Sequence, residues 1–263
     1  MGQDDEERRP VPAELRGYLG EVVRRVRAVC GARLVSVVAV GSVALGDYRH
    51  GRSDVDVVVV VEPGLPAAAL RRLAGELAHP GLPCPAAGLE LVVHDAEFAG
   101  RSAGGPGFLL NLDTGPLLAE RADLDGAGAA AFWFVIDRSI AHRAGITLWG
   151  APARQVIAEP ASADLFAALR AAVREHADGP GHRAEDRVLN GCRAVVFCRS
   201  GGWSAKRAAA RETAAAEPRF RALLEAAVRG YERPRAAAGA ALPDAEVRAF
   251  LAWAAERVAE AGG

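Results

Sequence analysis

The sequence predicts an α+β protein in which a small mixed sheet comes first and a bundle of helices follows. In the first part of the chain, short runs of valine and leucine alternate with amphipathic segments, which is typical of strands and helices that form one layered unit. From about residue 129 onward, the apolar residues recur at helical spacing instead. A chain of 263 residues is long enough for two such parts to bury a core each.

The elements of the first part are recognised by their periodicity and by the turn residues at their ends. Leu15, Leu19 and Val22 recur at helical spacing, and a later helix ends at Pro80. The predicted elements are, in order, a helix at about 12–30, a strand at 35–40, a short helix after Gly41, a valine-rich strand at 55–61, a helix at about 66–79 and a strand at 89–94.

A change of composition predicts where the two parts meet. Between about residues 96 and 128 glycine and proline become frequent, as in SAGGPG and DTGP, and we interpret this stretch as the linking segment. We therefore expect a first domain at 1–125, which includes the linker, and a helical domain at 126–263. Beyond the linker the pattern is wholly helical, which indicates a bundle of helices near 129–144, 162–177, 184–200, 204–215, 218–232 and 243–260.

Gly41 and Ser42 follow the first predicted strand and are expected to turn the chain into a short helix. The N-terminus of a helix offers free backbone N–H groups to phosphate oxygens. Gly41 allows close approach of the backbone, and the Ser42 hydroxyl can donate a hydrogen bond. The segment GSVALGD lacks the Gly-Lys-Ser/Thr ending of a P-loop, and G-x-G-x-x-G is absent.

Asp54 and Asp56 lie two residues apart on a strand, so their carboxylates point from the same face. Such a pair repels unless a cation lies between the two, and Mg²⁺ is the hard cation suited to carboxylate and phosphate oxygens. Glu90 is the lone acid of the apolar run LELVVH and supplies a third carboxylate if it faces a cleft. The pattern predicts a metal-dependent phosphoryl or nucleotidyl transfer site. The alternatives are a solvated Glu90 at a strand end, and a turn and strand that bind no metal.

Two basic residues in the helical part are candidates for phosphate binding. Lys206 is the only lysine of a chain whose other basic residues are arginines, and a compact ammonium suits phosphate. Arg193 shares a helix face with Asn190, three residues before it, and can reach a triphosphate with a bidentate fork if that face meets the sheet. The alternative is an ordinary surface role for both residues.

Charge and hydropathy restrict the partners. The formal net charge of −1 gives no electrostatic case for a long nucleic acid, which disfavours such a partner. The start MGQDDEERRP is charged where a signal peptide needs an apolar core, and no stretch is long and apolar enough to span a membrane. We therefore expect a cytoplasmic protein, and we expect it to be a monomer.

The Gly-Ser turn, the D-x-D strand and the later lone acid resemble the signature of the nucleotidyltransferase superfamily with a polymerase-β-like palm. The resemblance extends through the helical part, from about Leu15 to Tyr231, where it is to adenylyltransferases that modify streptomycin and spectinomycin. The segments that carry it are ITLWGAP at 146–152, VLNGCR at 188–193, GGWSAK at 201–206 and Tyr231.

This resemblance implies transfer of AMP from ATP to a hydroxyl of an aminoglycoside or aminocyclitol, with two Mg²⁺ ions and release of pyrophosphate. It implies that Asp54, Asp56 and Glu90 hold the metal and that Glu90 is also the base. The residues that contact the nucleotide would be Gly41, Ser42, Ser53, Arg193, Lys206 and Tyr231.

The sequence predicts the class of the acceptor but not the particular compound. Because an aminoglycoside is polycationic, acids should line its pocket, and the candidates are Asp113, Glu185 and Asp186. Streptomycin-modifying members carry a tryptophan in the linker, whereas residues 108–116 here contain none, so spectinomycin or another hydroxyl compound remains open. The competing readings are a nucleotidyltransferase that acts on a protein or RNA, as in toxin–antitoxin systems, and a non-catalytic nucleotide-binding module.

Overall fold

The computed structural model describes residues 10–178 and 182–262. Residues 1–9, which contain nearly all of the charged start discussed above, lie outside the described residues. The described residues form one six-stranded sheet in the order β5-β4-β3-β2-β1-β6. Its strands are β1 (Leu34–Ala39), β2 (Val55–Val61), β3 (Leu89–Asp95), β4 (Phe108–Thr114), β5 (Arg121–Asp123) and β6 (Ile146–Gly150).

The sheet is mixed, because β2 and β3 run parallel while the other neighbouring pairs are antiparallel. A helical part follows it, so the predicted α+β class is confirmed. The α-helices are α1 (Ala13–Cys30), α2 (Gly41–Ala44), α3 (Ala67–Leu77), α4 (Ala96–Ala99), α5 (Ala131–Ala144), α6 (Ala153–Val156), α7 (Ser162–Asp178), α8 (Ala184–Ser200), α9 (Lys206–Ala216), α10 (Arg221–Tyr231) and α11 (Asp244–Ala261). None of the helices in the described ranges is long and apolar enough to cross a membrane.

The valines of β2 divide between two cores, as the period of two of a strand requires. Val57 and Val59 belong to a core with α1 and α3 on one face of the sheet. Val58 and Val60 belong to the core that continues into the helical bundle. Asp54 and Asp56 have the same parity as Val58, so strand geometry directs their carboxylates to the helical side.

Helix α8 is the central helix of the bundle and packs against α7, α9, α10 and α11. Its apolar residues Val188, Leu189, Val195 and Val196 are buried. Because α8 has neighbours on most of its circumference, its polar residues are also drawn into the interior. This burial explains why Arg193 and the two acids at the start of α8, Glu185 and Asp186, become parts of a site.

Two expectations about the middle of the chain are wrong. The stretch at 96–128, interpreted as a linker, contains β4 and β5 and therefore builds one side of the sheet. The pattern beyond 128 is not wholly helical, because β6 pairs antiparallel with β1 at the other side. β5 and β6 are short, with three and five residues, and β4 stands between Gly-Pro-Gly and Gly-Pro, which is typical of a loop. The division at 125/126 stays a prediction, and the sheet includes a strand from beyond it.

Candidate functional site

Four carboxylates lie at one end of the central strands. In the strand register, Asp56 pairs with Glu90 on β3, and Glu90 pairs with Asp113 on β4. Residues paired in this way project from the same face of a sheet, and Asp54 precedes Asp56 by two residues. We call Asp54, Asp56, Glu90 and Asp113 the carboxylate cluster. The predicted meeting of the first three acids is thus explained by the parallel pairing of β2 and β3.

The carboxylate cluster carries more negative charge than its surroundings compensate. Burial raises the pKa of Asp56 well above its usual value, and the charge of Asp54 raises it further. Burial and then Asp54 and Asp56 raise the pKa of Glu90 in the same direction. Asp137 on α5 also interacts with these groups, and burial raises its pKa to about 6. Such a site favours an added cation.

Gly41 sits directly against the cluster. Its φ of +57° belongs to the left-handed region, and a Cβ at this position would collide with the carboxylate of Asp56. The adjacent Ser42 hydroxyl is buried and has no hydrogen-bond partner within the described residues. A glycine that lets the backbone approach and a free hydroxyl are the features expected where phosphate oxygens bind.

Arg193 on α8 also presents unused donors. Its Nε and Nη2 are buried without a hydrogen-bond partner in the part of the chain that the structure describes. The guanidinium lies over the ring of Trp203, 5.5 Å from the centroid, and the Trp203 indole donates to the Ser139 hydroxyl at 2.9 Å. Burial lowers the pKa of Arg193, while the charges of Asp137 and Asp56 act against this. The ring of Trp203 therefore supports the guanidinium, while Nε and Nη2 have no partner among the described residues.

Asn190, on the same helix as Arg193, does not share this environment. Its side-chain amide contacts His176 Nε2 at 3.0 Å, between α8 and α7. The Asn190 amide therefore bonds a neighbouring helix of the bundle.

Lys206, Asp186 and Tyr231 meet at a second charged centre. Lys206 Nζ lies 2.9 Å from Asp186 Oδ1 and 5.2 Å from the centroid of the Tyr231 ring. Arg52 lies 2.6 Å from Asp186 Oδ2 and 4.9 Å from the same ring. We call Arg52, Asp186, Lys206 and Tyr231 the Asp186 clasp. Glu185, with a fully buried side chain, lies 3.5 Å from Arg52.

The negative charge of Asp186 is therefore compensated by cations of the protein itself. Burial is the largest single effect and raises its pKa, but the charges of Lys206, Arg52 and Arg235 and the hydrogen bond from Lys206 together lower the pKa to about 2. Glu185 also accepts a hydrogen bond from the backbone N–H of Ala240 at 3.2 Å. Contact of these two acids with a cationic acceptor stays a prediction. Asp113, which pairs in register with Arg121 on β5, has its pKa raised by burial, and the charge of Arg121 acts against this.

The loop before β2 is fastened from both sides. Ser53 Oγ accepts a hydrogen bond from the backbone N–H of Arg49 at 3.1 Å, so its hydroxyl shapes the loop. Arg235, in the segment after α10, donates to Asp54 Oδ2 at 2.9 Å and from its backbone N–H to the Gly51 carbonyl at 2.8 Å. Asp54 is thus the member of the carboxylate cluster with a cation in direct contact.

Sequence reasoning named most of these side chains but missed several of their partners. The missed residues are Arg52, Asp137, Trp203 and Arg235. Arg52 could have been considered because it directly precedes Ser53 and Asp54. Trp203 lies in the GGWSAK segment, three residues before Lys206, and could also have been considered. For Asp137 and Arg235 the sequence offers no signal, since each meets the site through the packing of distant helices or segments.

Within residues 10–178 and 182–262, no group of three or more His, Cys, Asp or Glu side chains is arranged closely enough to hold a metal ion. The donors at the carboxylate cluster nonetheless suit Mg²⁺. They are hard carboxylate oxygens, and the raised pKa values of Asp56 and Glu90 reflect charge that a cation would relieve. The residues present therefore fit this ion.

The sheet, the Gly-Ser turn and the D-x-D strand define a nucleotidyltransferase, and residues 21–82 match the family model of the nucleotidyltransferase domain. Residues 155–257 match the family model of the aminoglycoside adenylyltransferase C-terminal domain. Together the two matches cover more than half of the chain, which belongs to the aminoglycoside adenylyltransferase family. None of the curated proteins matches it significantly.

The fold is similar to that of the spectinomycin adenyltransferase AAD(9) from Enterococcus faecialis, determined with ATP and spectinomycin. The TM-score is 0.68 at 16% sequence identity, and the match covers 92% of this chain and 98% of that one. At this identity the similarity describes the fold.

Proposed function

We propose that this protein transfers AMP from ATP to a hydroxyl group of an aminocyclitol or aminoglycoside antibiotic and releases pyrophosphate. The observation that carries the proposal is the convergence of Asp54, Asp56 and Glu90 beside a glycine that leaves no room for a side chain. The ATP and spectinomycin named for the similar fold support the same reaction. An enzyme of this kind confers antibiotic resistance.

The phosphates of ATP are proposed to bind at residues that have unused donors. Ser42 offers a free hydroxyl, and Arg193 offers two guanidinium nitrogens. Arginine binds phosphate oxygens in a bidentate manner, and this geometry is available because the ring of Trp203 supports the guanidinium. Lys206 adds a compact positive charge. We propose that Arg193 and Lys206 stabilise the negative charge of the leaving pyrophosphate.

Asp54 and Asp56, with Glu90 beside them, are the proposed ligands of two Mg²⁺ ions. When bound, these ions supply positive charge to the reacting phosphate and to the attacking and leaving oxygens. The protein's own contribution is a set of oxygens at a fixed end of the sheet. Arg235, which donates to Asp54 Oδ2, would compete with a metal ion for the Asp54 carboxylate.

Glu90 is the proposed general base that takes the proton from the acceptor hydroxyl. A base works best when its pKa lies close to the operating pH, and burial with neighbouring carboxylates moves the pKa of Glu90 upward in that direction. Asp113, the register partner of Glu90, is proposed to attract an ammonium group of the acceptor. Asp186 remains a second candidate for this role.

The first test is pyrophosphate release from ATP and Mg²⁺ in the presence of spectinomycin, streptomycin, other aminoglycosides and an uncharged cyclitol. Asp56→Asn serves as the blank for metal-dependent chemistry. The expected result is release that depends on one class of cationic acceptor and on Asp56. Mass spectrometry of the acceptor then identifies an added AMP group.

Two results would contradict parts of the proposal. ATP binding without release across the whole panel contradicts a small-molecule acceptor and favours a protein or RNA acceptor. Release that survives in Asp56→Asn contradicts the assigned site.

A further inference from the structure

Arg52 is an unusual arginine, because only 3% of its side chain is exposed. A buried guanidinium is tolerated when carboxylates and hydrogen bonds compensate its charge. Here its Nη2 lies 2.6 Å from Asp186 Oδ2, and its Nη1 lies 3.5 Å from Glu185 Oε1. Arg52 belongs to the loop before β2, whereas both acids begin α8. The contact therefore joins two parts of the chain 133 and 134 residues apart.

A single carboxylate connects Arg52 to Lys206. Asp186 Oδ2 faces Arg52, and Asp186 Oδ1 faces Lys206 Nζ at 2.9 Å. Both cations also lie against the ring of Tyr231, at 4.9 and 5.2 Å from its centroid. The position of the Lys206 ammonium is consequently set by where Asp186 stands, and Arg52 holds the other oxygen of Asp186.

We infer that Arg52 is a positioning residue that, by holding Asp186 between itself and Lys206, fixes the Lys206 ammonium relative to the loop carrying Ser53 and Asp54. This inference rests on the proposed function, in which Lys206 contacts the nucleotide phosphates. Since Ser53 and Asp54 directly follow Arg52, one carboxylate sets the distance between the proposed phosphate cation and the proposed metal ligands. Without Arg52, Asp186 Oδ2 loses its partner, and the Asp186 side chain becomes free to move and to draw Lys206 away from the phosphates.

The test compares Arg52→Gln with Arg49→Gln. Arg49 lies in the same loop, but its guanidinium contacts the Glu232 carbonyl at 3.4 Å instead of Asp186, so it is a matched control. Because Lys206 is the only lysine of the chain, lysine labelled with ¹³C at Cε gives one side-chain signal in an NMR spectrum. We expect this signal to shift in Arg52→Gln and to stay in place in Arg49→Gln.

The second readout is the binding of ATP and Mg²⁺ in the absence of any acceptor. Arg52→Gln should weaken ATP binding about five- to tenfold, since a charge-assisted contact no longer holds Asp186. The KM for ATP should rise while the KM for the acceptor changes little. Arg52→Lys should recover part of the affinity, because an ammonium can hold Asp186 but cannot bridge to Glu185 as a planar fork does.

An unchanged Lys206 signal together with unchanged ATP affinity in folded Arg52→Gln overturns the inference. Where Arg52→Gln does not fold, the comparison of Arg52→Lys with the parent protein gives the same decision. If the parent protein binds no ATP, the proposed function fails, whereas the Lys206 signal still decides whether Arg52 positions that ammonium.

Discussion

The carboxylate cluster on the sheet and the Asp186 clasp each contain partly buried carboxylates, yet the negative charge is compensated only in the clasp. Around Asp186, two cations divide the two oxygens of one carboxylate, and its pKa falls to about 2. On the sheet, Asp56 and Glu90 stand beside other carboxylates, and burial raises the pKa of each. The negative charge of Asp186 is therefore compensated within the protein, whereas that of the carboxylate cluster is not.

This difference distinguishes a carboxylate that stabilises the fold from carboxylates that are available for binding or catalysis. A carboxylate that already holds its counter-ions stabilises the fold in which they meet. Carboxylates that repel each other cost stability, and such an arrangement is expected where an external cation or a proton completes the site. The two centres should therefore respond in opposite directions to removal of a charge.

Asp56→Asn is expected to have the largest effect. Pyrophosphate release should fall at least about 10³-fold, because several kcal/mol of charge stabilisation by the metal are lost. The metal-free protein should become more stable at neutral pH. Because folding raises the pKa of Asp56, its cost to stability grows as pH rises above the unfolded pKa of about 3.9, and the amide removes this cost.

Thermal unfolding without metal measures this gain, with Glu97→Gln as the control at an exposed acid on α4. A lower melting temperature for Asp56→Asn than for the parent protein would falsify the idea that the cluster is uncompensated.

Glu90→Gln separates chemistry from binding within the same cluster. The expected loss in kcat is about 10²–10⁴-fold, the usual contribution of a general base. Because the base must be ionised, the rate of the parent enzyme should rise with pH through the raised pKa of Glu90, and the variant should lack this rise.

Titration of ATP into Glu90→Gln supplies the complementary measurement. Affinity close to that of the parent is expected. Loss of ATP binding with no other defect would show that Glu90 serves the nucleotide and is not the base.

Gly41→Ala tests whether the position of Asp56 matters as much as its charge. Gly201, at the end of α8, is the control, because it also has a positive φ, 68° against 57° at Gly41, and alanine is strained at either position. Only at Gly41 does the new Cβ meet the Asp56 carboxylate, since nothing lies within 4 Å of a Cβ at Gly201. Activity should fall about 10²-fold in Gly41→Ala alone. Equal activity of the two folded variants would contradict close packing against Asp56.

Asp186→Asn is expected to have the smallest effect and the opposite sign in stability. Removing the shared carboxylate leaves Arg52 and Lys206 without their partner, and about 1–3 kcal/mol of unfolding free energy should be lost at pH 7, reduced because Asp186 is 23% exposed. The folded pKa is lowered, so the stabilisation is present above the unfolded pKa of about 3.9. It disappears as pH falls toward about 2.

Urea unfolding of both proteins at pH 7 and near pH 2.5 checks this dependence. The difference between them should shrink at acid pH, and a constant difference would count against the charge as its cause.

Local sequence determined much of this protein. The alternation of β2 directs Asp54 and Asp56 to one face, and the helical spacing along the second half predicted the main helices of the bundle close to their observed bounds. These features depend on neighbours a few residues apart, and backbone geometry makes them readable as a period of 2 or 3.6.

The tertiary structure alone decided which charges meet. Arg235 reaches Asp54 across 181 residues, and Asp186 contacts both Arg52 and Lys206, and no pattern in the sequence indicated these partners. It also decided that β6 joins the edge of the sheet. Such pairings depend on how separate elements pack, and a charge in the sequence carries no mark of its partner until packing brings the two within a few ångströms.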